Sequence, residues 1–148
     1  MKRLFISQSF PDSFASTGLL LARLLTGTAM MLHGLPKIQN PMAWGDKMGI
    51  PPVFQLLAAV AEFGGGIAWI LGLLVPLASL GVFATMAVAK FTAHANDPLV
   101  APPGGKGWES AGLYAALAVL YFCVGPGKFS VDYYLAQALN KQKSSDVA

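Results

Sequence analysis

Hydrophobic residues along the chain fall into four long runs that are separated by short polar segments. The runs cover about residues 14–37, 53–74, 77–95 and 108–124. Each is about long enough to cross a hydrocarbon core of roughly 30 Å at ~1.5 Å per residue. The pattern therefore predicts an all-α protein, built as an integral membrane four-helix bundle.

Proline and glycine separate these runs. Pro51 and Pro52 close the first loop, and Pro76 marks a very short turn between the second and third runs. Residues 96–107 form a second loop rich in proline and glycine, and the segment 125–127 (Gly-Pro-Gly) ends the fourth run. These residues break helices locally, so they fix where the predicted spans begin and end.

Both ends of the chain are polar. Residues 1–13 precede the first run, and residues 141–148 form a polar tail that we expect to be disordered. Between them, residues 129–140 carry apolar side chains on one helical face, with Ser130 as N-cap and Asp132 in the first turn. This segment predicts a short amphipathic helix that lies at the membrane surface.

Composition favours a membrane protein. The chain is 55% hydrophobic and only 11% charged, whereas an ordinary soluble domain is about 25% charged. We therefore expect the lipid bilayer to be the solvent for much of the surface. The net charge of +3 comes from scattered Lys and Arg residues, a pattern that argues against a nucleic-acid partner.

Flanking charge predicts the orientation. An even number of spans places both termini on one side of the membrane, and that side carries more Lys and Arg, which is typical of the cytoplasmic side. The basic residues are Lys2, Arg3, Lys128, Lys141 and Lys143 on that side, and Lys37, Lys47 and Lys106 on the other. Both termini are therefore predicted to be cytoplasmic.

The chain has one cysteine, Cys123. A single cysteine forms no intrachain disulfide, and no C-x-x-C motif is present for dithiol chemistry. We expect Cys123 to be a small buried apolar residue. Any redox role would therefore need electrons from an external carrier or partner.

Ionisable residues inside the apolar runs are the main functional signal, because a charge at mid-bilayer costs about 2.5–3.5 kcal/mol on insertion scales. In the first run such residues fall on one helical face, which we expect to line the bundle interior. That stripe consists of Arg23, Thr26, Met30, His33 and Lys37.

The second run carries Glu62 near its middle. A carboxylate at this depth needs a cation, and both Arg23 and Lys90 remain open as its partner. Small residues at four-residue spacing on the same run predict close helix packing. They are Gly64, Ala68 and Gly72.

Lys90 and His94 lie one turn apart near the outer end of the third run. His33, on the first run, also lies toward the outer side, so we expect the two histidines to approach each other. Two histidines are too few for a specific metal site, so we favour a hydrogen-bonded polar cluster over a metal. Glu109, at the start of the fourth run, either pairs with Lys37 or Lys90 or is a solvated carboxylate.

Together these residues predict a polar pocket between the first three helices that opens to the outer side, with a buried ion pair beneath it. The candidate ligand-binding residues are Arg23, His33, Lys37, Glu62, Lys90, His94 and Glu109. The candidate catalytic groups are His33, His94 and Glu62, and no metal is expected.

Several segments resemble the DoxX family of small four-helix membrane proteins. They are Arg23-Leu-Leu-Thr-Gly27, His33-Gly-Leu-Pro-Lys37, Met48-Gly-Ile-Pro-Pro52, Ala61-Glu-Phe-Gly-Gly-Gly66, Leu71-Gly-Leu-Leu74, His94 and Gly125-Pro-Gly-Lys-Phe-Ser-Val-Asp132. The resemblance covers about residues 19–135 and implies the four-helix fold. It also implies a functional set made of Arg23, His33, Lys37, Glu62, His94 and Glu109.

The resemblance implies a range of activities. Some DoxX relatives are similar to the membrane subunit of a thiosulfate:quinone oxidoreductase, others associate with redox-defence enzymes, and distant ones resemble membrane assembly factors. Our first hypothesis is a redox-associated subunit of the bacterial inner membrane that binds a quinone or a small polar ligand, without a covalent cofactor. Any catalysis would belong to a quinone-linked oxidoreductase complex, so we expect a protein redox partner or a homo-oligomer.

Two further hypotheses stay open at this point. One is a small-solute or proton-coupled transport component, which four short helices would need to build as an oligomer. The other is a membrane scaffold or assembly factor without catalysis, whose buried ions would be packed without a cavity. A water-accessible pocket lined by His33 and His94 would count against the scaffold.

Overall fold

The computed structural model describes residues 10–145, with side chains through residue 142, and this range is helical apart from its loops and turns. It contains five helices and no strand between residues 10 and 145. They are α1 (Ser13–Gln39), α2 (Pro52–Leu71), α3 (Val75–Phe91), α4 (Glu109–Val124) and α5 (Val131–Ser145). A π-helical turn, Val60–Gly64, interrupts α2, and a 3-10 turn, Asp46–Met48, lies in the first loop.

The four apolar runs correspond to α1–α4, but these helices differ in length. α1 and α2 are long and apolar enough to cross a membrane, whereas α3 and α4 have 17 and 16 residues. At ~1.5 Å per residue the two shorter helices span about 24–26 Å. All four expose large apolar side chains, among them Leu25, Leu57, Phe83 and Leu113, a surface that soluble monomers rarely present.

The helices pack as two pairs, α1 with α2 and α3 with α4, and α2 joins the pairs by contacting α3. At the centre, the buried Trp69 indole donates from Nε1 to the Ser79 hydroxyl at 3.1 Å. The edge of the same ring meets Tyr121, with centroids 4.9 Å apart. These three side chains connect α2, α3 and α4, and the buried indole N–H of Trp69 is satisfied by a residue of another helix.

Glycines allow α1 and α2 to approach very closely. A Cβ at Gly34 would overlap the backbone of Phe63, and a Cβ at Gly27 would lie 2.8 Å from the carbonyl oxygen of Gly66. In the other direction, a Cβ at Gly66 would overlap the backbone of Met31. The backbones of α1 and α2 therefore meet with almost no side chain between them.

The predicted packing ridge on α2 is wrong. A Cβ at Gly64 would meet nothing within 4 Å, and Gly72 ends the helix with a left-handed φ of +67°. Gly66, which contacts α1, lies two positions from both Gly64 and Ala68. Two positions are about half a turn of helix, so Gly64 and Ala68 face away from α1. Gly72 instead lies beyond the helix, against the Arg23 side chain.

The turn between α2 and α3 differs from the prediction. α2 ends at Leu71, and Gly72 and Leu74 make the turn with φ values of +67° and +50°. Pro76 lies within the first turn of α3. Proline is tolerated there because the first N–H groups of a helix have no intrahelical partner.

The C-terminal helix lies against this turn. Ser130 caps α5 by accepting from the Tyr133 amide at 3.2 Å, as predicted for the start of this helix. α5 then continues to Ser145, so the prediction of a disordered polar tail from residue 141 is wrong for residues 141–145. The predicted segments at 1–9 and 146–148 lie outside the described residues.

Asp132 fastens α5 to α3. Its two carboxylate oxygens accept from the amides of Leu74 at 2.8 Å and Val75 at 3.1 Å, and its own amide donates to the Gly72 carbonyl at 3.0 Å. The carboxylate thus caps the N-terminus of a different helix from its own. We call this side of the bundle, with the α2–α3 turn and α5, the terminal end, and the opposite side, with loops 40–51 and 92–108, the loop end.

Candidate functional site

Glu62 pairs with Lys37. The Lys37 ammonium lies 2.5 Å from Glu62 Oε1, with the carboxylate side chain 4% exposed and the lysine side chain 27% exposed. The sequence left Arg23 and Lys90 open as partners of Glu62, and both of these predicted pairings are therefore wrong. Gly34 packs against the backbone at Glu62 and Phe63, and a helical side chain at position 37 points back toward that level.

The π-helical turn surrounds Glu62. It covers Val60–Gly64 and interrupts α2 where α1 packs most closely. A π turn adds a residue to the local helical period, and such turns are frequent at functional sites. The sequence pattern gave no signal for it, because the apolar run continues through these residues without a break.

The first loop covers the ion pair through Trp44. The centroid of the Trp44 ring lies 4.6 Å from the Lys37 ammonium, which is cation–π geometry. The indole Nε1 donates to the carbonyl oxygen of Gln55 at 2.9 Å. Lys37 is therefore held between a carboxylate on α2 and an aromatic ring on the loop.

Gln55 holds the loop in place and is fully buried. Its Oε1 accepts from the Gly45 amide at 2.7 Å, and its Nε2 donates to Asp46 Oδ1 at 2.8 Å and to the Ile50 carbonyl at 2.7 Å. Neither Gln55 nor Trp44 was among the predicted site residues. The available signal was an amide side chain near the start of an apolar run, where a buried polar group needs partners.

Lys90 and His94 belong to a second cluster that closes the other loop. Lys90 donates to the His94 carbonyl at 3.1 Å and lies 5.1 Å from the centroid of the Trp108 ring. His94 Nδ1 pairs with Asp97 Oδ2 at 2.7 Å. These contacts stay within the end of α3 and its loop, so Lys90 contributes to the loop and not to Glu62.

The two histidines do not meet. His33 is exposed and makes a T-shaped contact with the Tyr114 ring on α4, with centroids 6.0 Å apart. His94 instead contacts Asp97, as described above. Glu109 is exposed and makes no ion pair within residues 10–142, so the predicted pairing with Lys37 or Lys90 is wrong and the alternative of a solvated carboxylate is observed.

Arg23 lies toward the terminal end, away from the other predicted site residues. It is fully buried, and its Nη2 donates to the Phe129 carbonyl at 2.6 Å. Its Nε and Nη1 atoms have no hydrogen-bond partner within residues 10–142. The predicted ion pair beneath the pocket is therefore not formed, and Arg23 instead joins α1 to the segment before α5.

A cavity of about 980 Å³ lies between α2 and α3 and is open along one side. Its ionisable lining residues are Lys37, Glu62 and His94, and the rest of the lining is mostly small and apolar side chains of α2 and α3. We call this cavity the α2–α3 groove. It brings together three of the predicted site residues, whereas Arg23, His33, Lys90 and Glu109 do not line it.

Cys123 is a free and exposed thiol on α4, so the expectation that it is buried is wrong. Its position on the outer face follows from α4 burying Ala118 and Tyr121 instead. Within the described residues, no three His, Cys, Asp or Glu side chains lie close enough together to hold a metal ion.

The family model of DoxX matches residues 18–95, which is more than half of the 148-residue chain. The protein belongs to the DoxX family. It matches no curated protein and no solved structure. The matched DoxX segment contains Lys37, Glu62 and His94, and together with the two long apolar helices it assigns the protein to a membrane.

Proposed function

We propose that this DoxX protein is a multi-pass subunit of the bacterial inner membrane that binds a quinone in the α2–α3 groove and serves a redox partner. All four helices α1–α4 expose apolar side chains, which supports four spans despite the shorter α3 and α4. With four spans both termini lie on one side, and the flanking Lys and Arg residues favour the cytoplasm. The loop end, with the His94 end of the groove, then faces outward.

The observation that carries the proposal is the groove itself. Ligand sites are typically cavities of about 300–1,000 Å³, mostly apolar with a few placed polar groups. The α2–α3 groove has this volume, and its ionisable residues are an ammonium, a carboxylate and an imidazole. In a membrane scaffold, the buried ionic side chains would serve only to fix how the helices pack, and no cavity of this volume would be needed.

Each polar residue has a distinct role toward a quinone ring. Lys37 keeps part of its side chain exposed, so its ammonium donates a hydrogen bond to a carbonyl oxygen while Glu62 holds it in place. Asp97 fixes the His94 ring through Nδ1, which leaves Nε2 for the ligand. Glu62 and His94 thereby offer two groups that move protons.

The electrons come from elsewhere. A quinone supplies two-electron, two-proton chemistry, but Cys123 is alone and the chain carries no dithiol motif. The protein therefore holds and protonates the quinone, while a partner protein delivers the electrons. This division makes the DoxX chain a membrane subunit and not an autonomous oxidoreductase.

A titration of the full-length protein in lipid nanodiscs with a tail-less dimethoxy-benzoquinone tests the proposal. We expect saturable quenching of tryptophan fluorescence that is much reduced in Trp44→Phe. Lys37→Met should weaken binding about tenfold or more, because a hydrogen bond to a charged group is worth about 1.5–3 kcal/mol. Lys128→Met, at the terminal end, is the matched control and should bind as wild type. Absence of saturable quenching, or equal binding by Lys37→Met, contradicts the proposal.

A further inference from the structure

We propose that the quinone enters the α2–α3 groove sideways from the bilayer and lies with its ring beside Lys37 and its tail lengthwise between α2 and α3. The groove thus selects an amphiphile with one compact oxygen-bearing head and one long apolar tail. This inference rests on the proposed function and adds to it the route of entry and the orientation of the ligand.

The shape of the groove carries the first step. Its lining on α3 recurs on one helical face from Leu77 to Thr92, and its lining on α2 from Phe54 to Ala68. At ~1.5 Å per residue both walls are roughly 20 Å long, about two thirds of a hydrocarbon core of roughly 30 Å. A cavity of these proportions fits an extended chain better than a compact solute.

Small residues make the floor of this groove. On α2, Gly64 has open space where a Cβ would stand. Across from it, a Cβ at Gly81 would lie 3.3 Å from Ala61, so α2 and α3 already touch beneath the groove. The space is therefore bounded below by the two helices and open only outward, toward the surface that carries Leu57 and Phe83.

Polarity fixes the direction of the ligand. His94 stands at the loop end of the groove, and the Lys37–Glu62 pair lies near its middle. The terminal end is lined by Leu74 and Leu77. In the ion pair the lysine side chain is 27% exposed and the glutamate 4%. An arriving head group therefore meets the ammonium first, which favours acceptor oxygens such as quinone carbonyls.

The bilayer determines what the tail contributes. A tail that moves from lipid into an apolar groove stays in an apolar medium, so burial adds little affinity. The hydrogen bond to Lys37 sets the strength of binding, whereas the groove sets where the tail lies. The informative measurement is therefore the position of the tail and not the affinity alone.

Photo-crosslinking tests this position. The probe is a benzoquinone with a linear alkyl tail that ends in a diazirine, added to the full-length protein in phosphatidylcholine nanodiscs and mapped by mass spectrometry. We expect crosslinks near Leu74 and Leu77, above the background of an alkyl diazirine that lacks the quinone head. Ala68→Leu, which lines the groove between Glu62 and the terminal end, should lower this yield about fivefold because the added side chain occupies the space of the tail.

Ala116→Leu is the matched control, since Ala116 is exposed on α4 and does not line the groove. Its yield should equal that of wild type, and the tail-less quinone should bind normally to Ala68→Leu. Crosslinks spread over α1 and α4, an unchanged yield in Ala68→Leu, or displacement of the probe by bulk phospholipid would each overturn the inference. Each of those results is compatible with binding of the tail-less quinone. If wild type does not bind the tail-less quinone, the proposed function itself is overturned.

Discussion

The Lys37–Glu62 ion pair has one sheltered member and one accessible member, so its two single substitutions should have unequal effects. Glu62 is 4% exposed and Lys37 is 27% exposed. Lys37→Met leaves a buried carboxylate without its cation. Glu62→Gln leaves an ammonium that still contacts Trp44 and is long enough to reach the interface.

The magnitudes follow from this asymmetry. Removing one partner of a buried pair costs about 3–5 kcal/mol when the other charge stays buried, which applies to Lys37→Met. Glu62→Gln loses a charge-assisted hydrogen bond but leaves a cation with an alternative contact, so we expect about 1–2 kcal/mol. The double variant buries no uncompensated charge and should be more stable than Lys37→Met alone, with a coupling of about 1–3 kcal/mol.

Reversible unfolding in mixed detergent micelles, followed by helical circular dichroism, measures these free energies. The cycle needs wild type, both single variants, the double variant and Lys128→Met as a charge control. Equal losses for the two single variants would refute the asymmetry. Additivity within about 0.5 kcal/mol would refute the coupling.

Four further substitutions, one of them a control, test the packing of the bundle. Asp132→Ala removes both acceptors at the start of α3 and should lower the unfolding free energy by about 1–2 kcal/mol; an unchanged thermal midpoint would contradict the contact between α5 and α3. Gly34→Ala should lower the unfolding free energy by about 1–3 kcal/mol because the added Cβ overlaps the α2 backbone. Gly64→Ala should be near neutral because a Cβ there has open space, and equal thermal midpoints for the two variants would contradict the close packing. Gln55→Leu should release loop 40–51 and speed its cleavage by protease, and cleavage at the wild-type rate would contradict its role.

The helices were predictable because lipid-facing segments must be long, apolar and helical. The four apolar runs therefore located α1–α4, and Ser130 located the start of α5. The end of α2 and the start of α3, near Pro76, were less predictable, since proline fits either a connecting loop or the first turn of a helix. The left-handed Leu74, which decides between these two, has no signature in the sequence.

The partners within the site could not be predicted, because they depend on how helices are rotated against one another. Glu62 meets Lys37 at the point where α2 contains a π turn and glycines bring α1 against it. Spacing alone placed Arg23 on the same stripe as Lys37, but the stripe is long enough for its members to reach opposite ends of the bundle. Trp44 was missed because it lies in a loop, and its role depends on contacts distant in sequence.

The claim that a quinone carbonyl binds the Lys37 ammonium is tested most directly by solid-state NMR on the protein in lipid bilayers. A dipolar-coupling experiment between a ¹³C-labelled quinone carbonyl and ¹⁵N-labelled lysine Nζ reports their distance. We predict a contact that corresponds to a hydrogen bond, about 2.7–3.2 Å from nitrogen to oxygen, and that disappears in Lys37→Met but persists in Lys128→Met. A bound quinone without this contact, or a contact that survives Lys37→Met, would contradict the account.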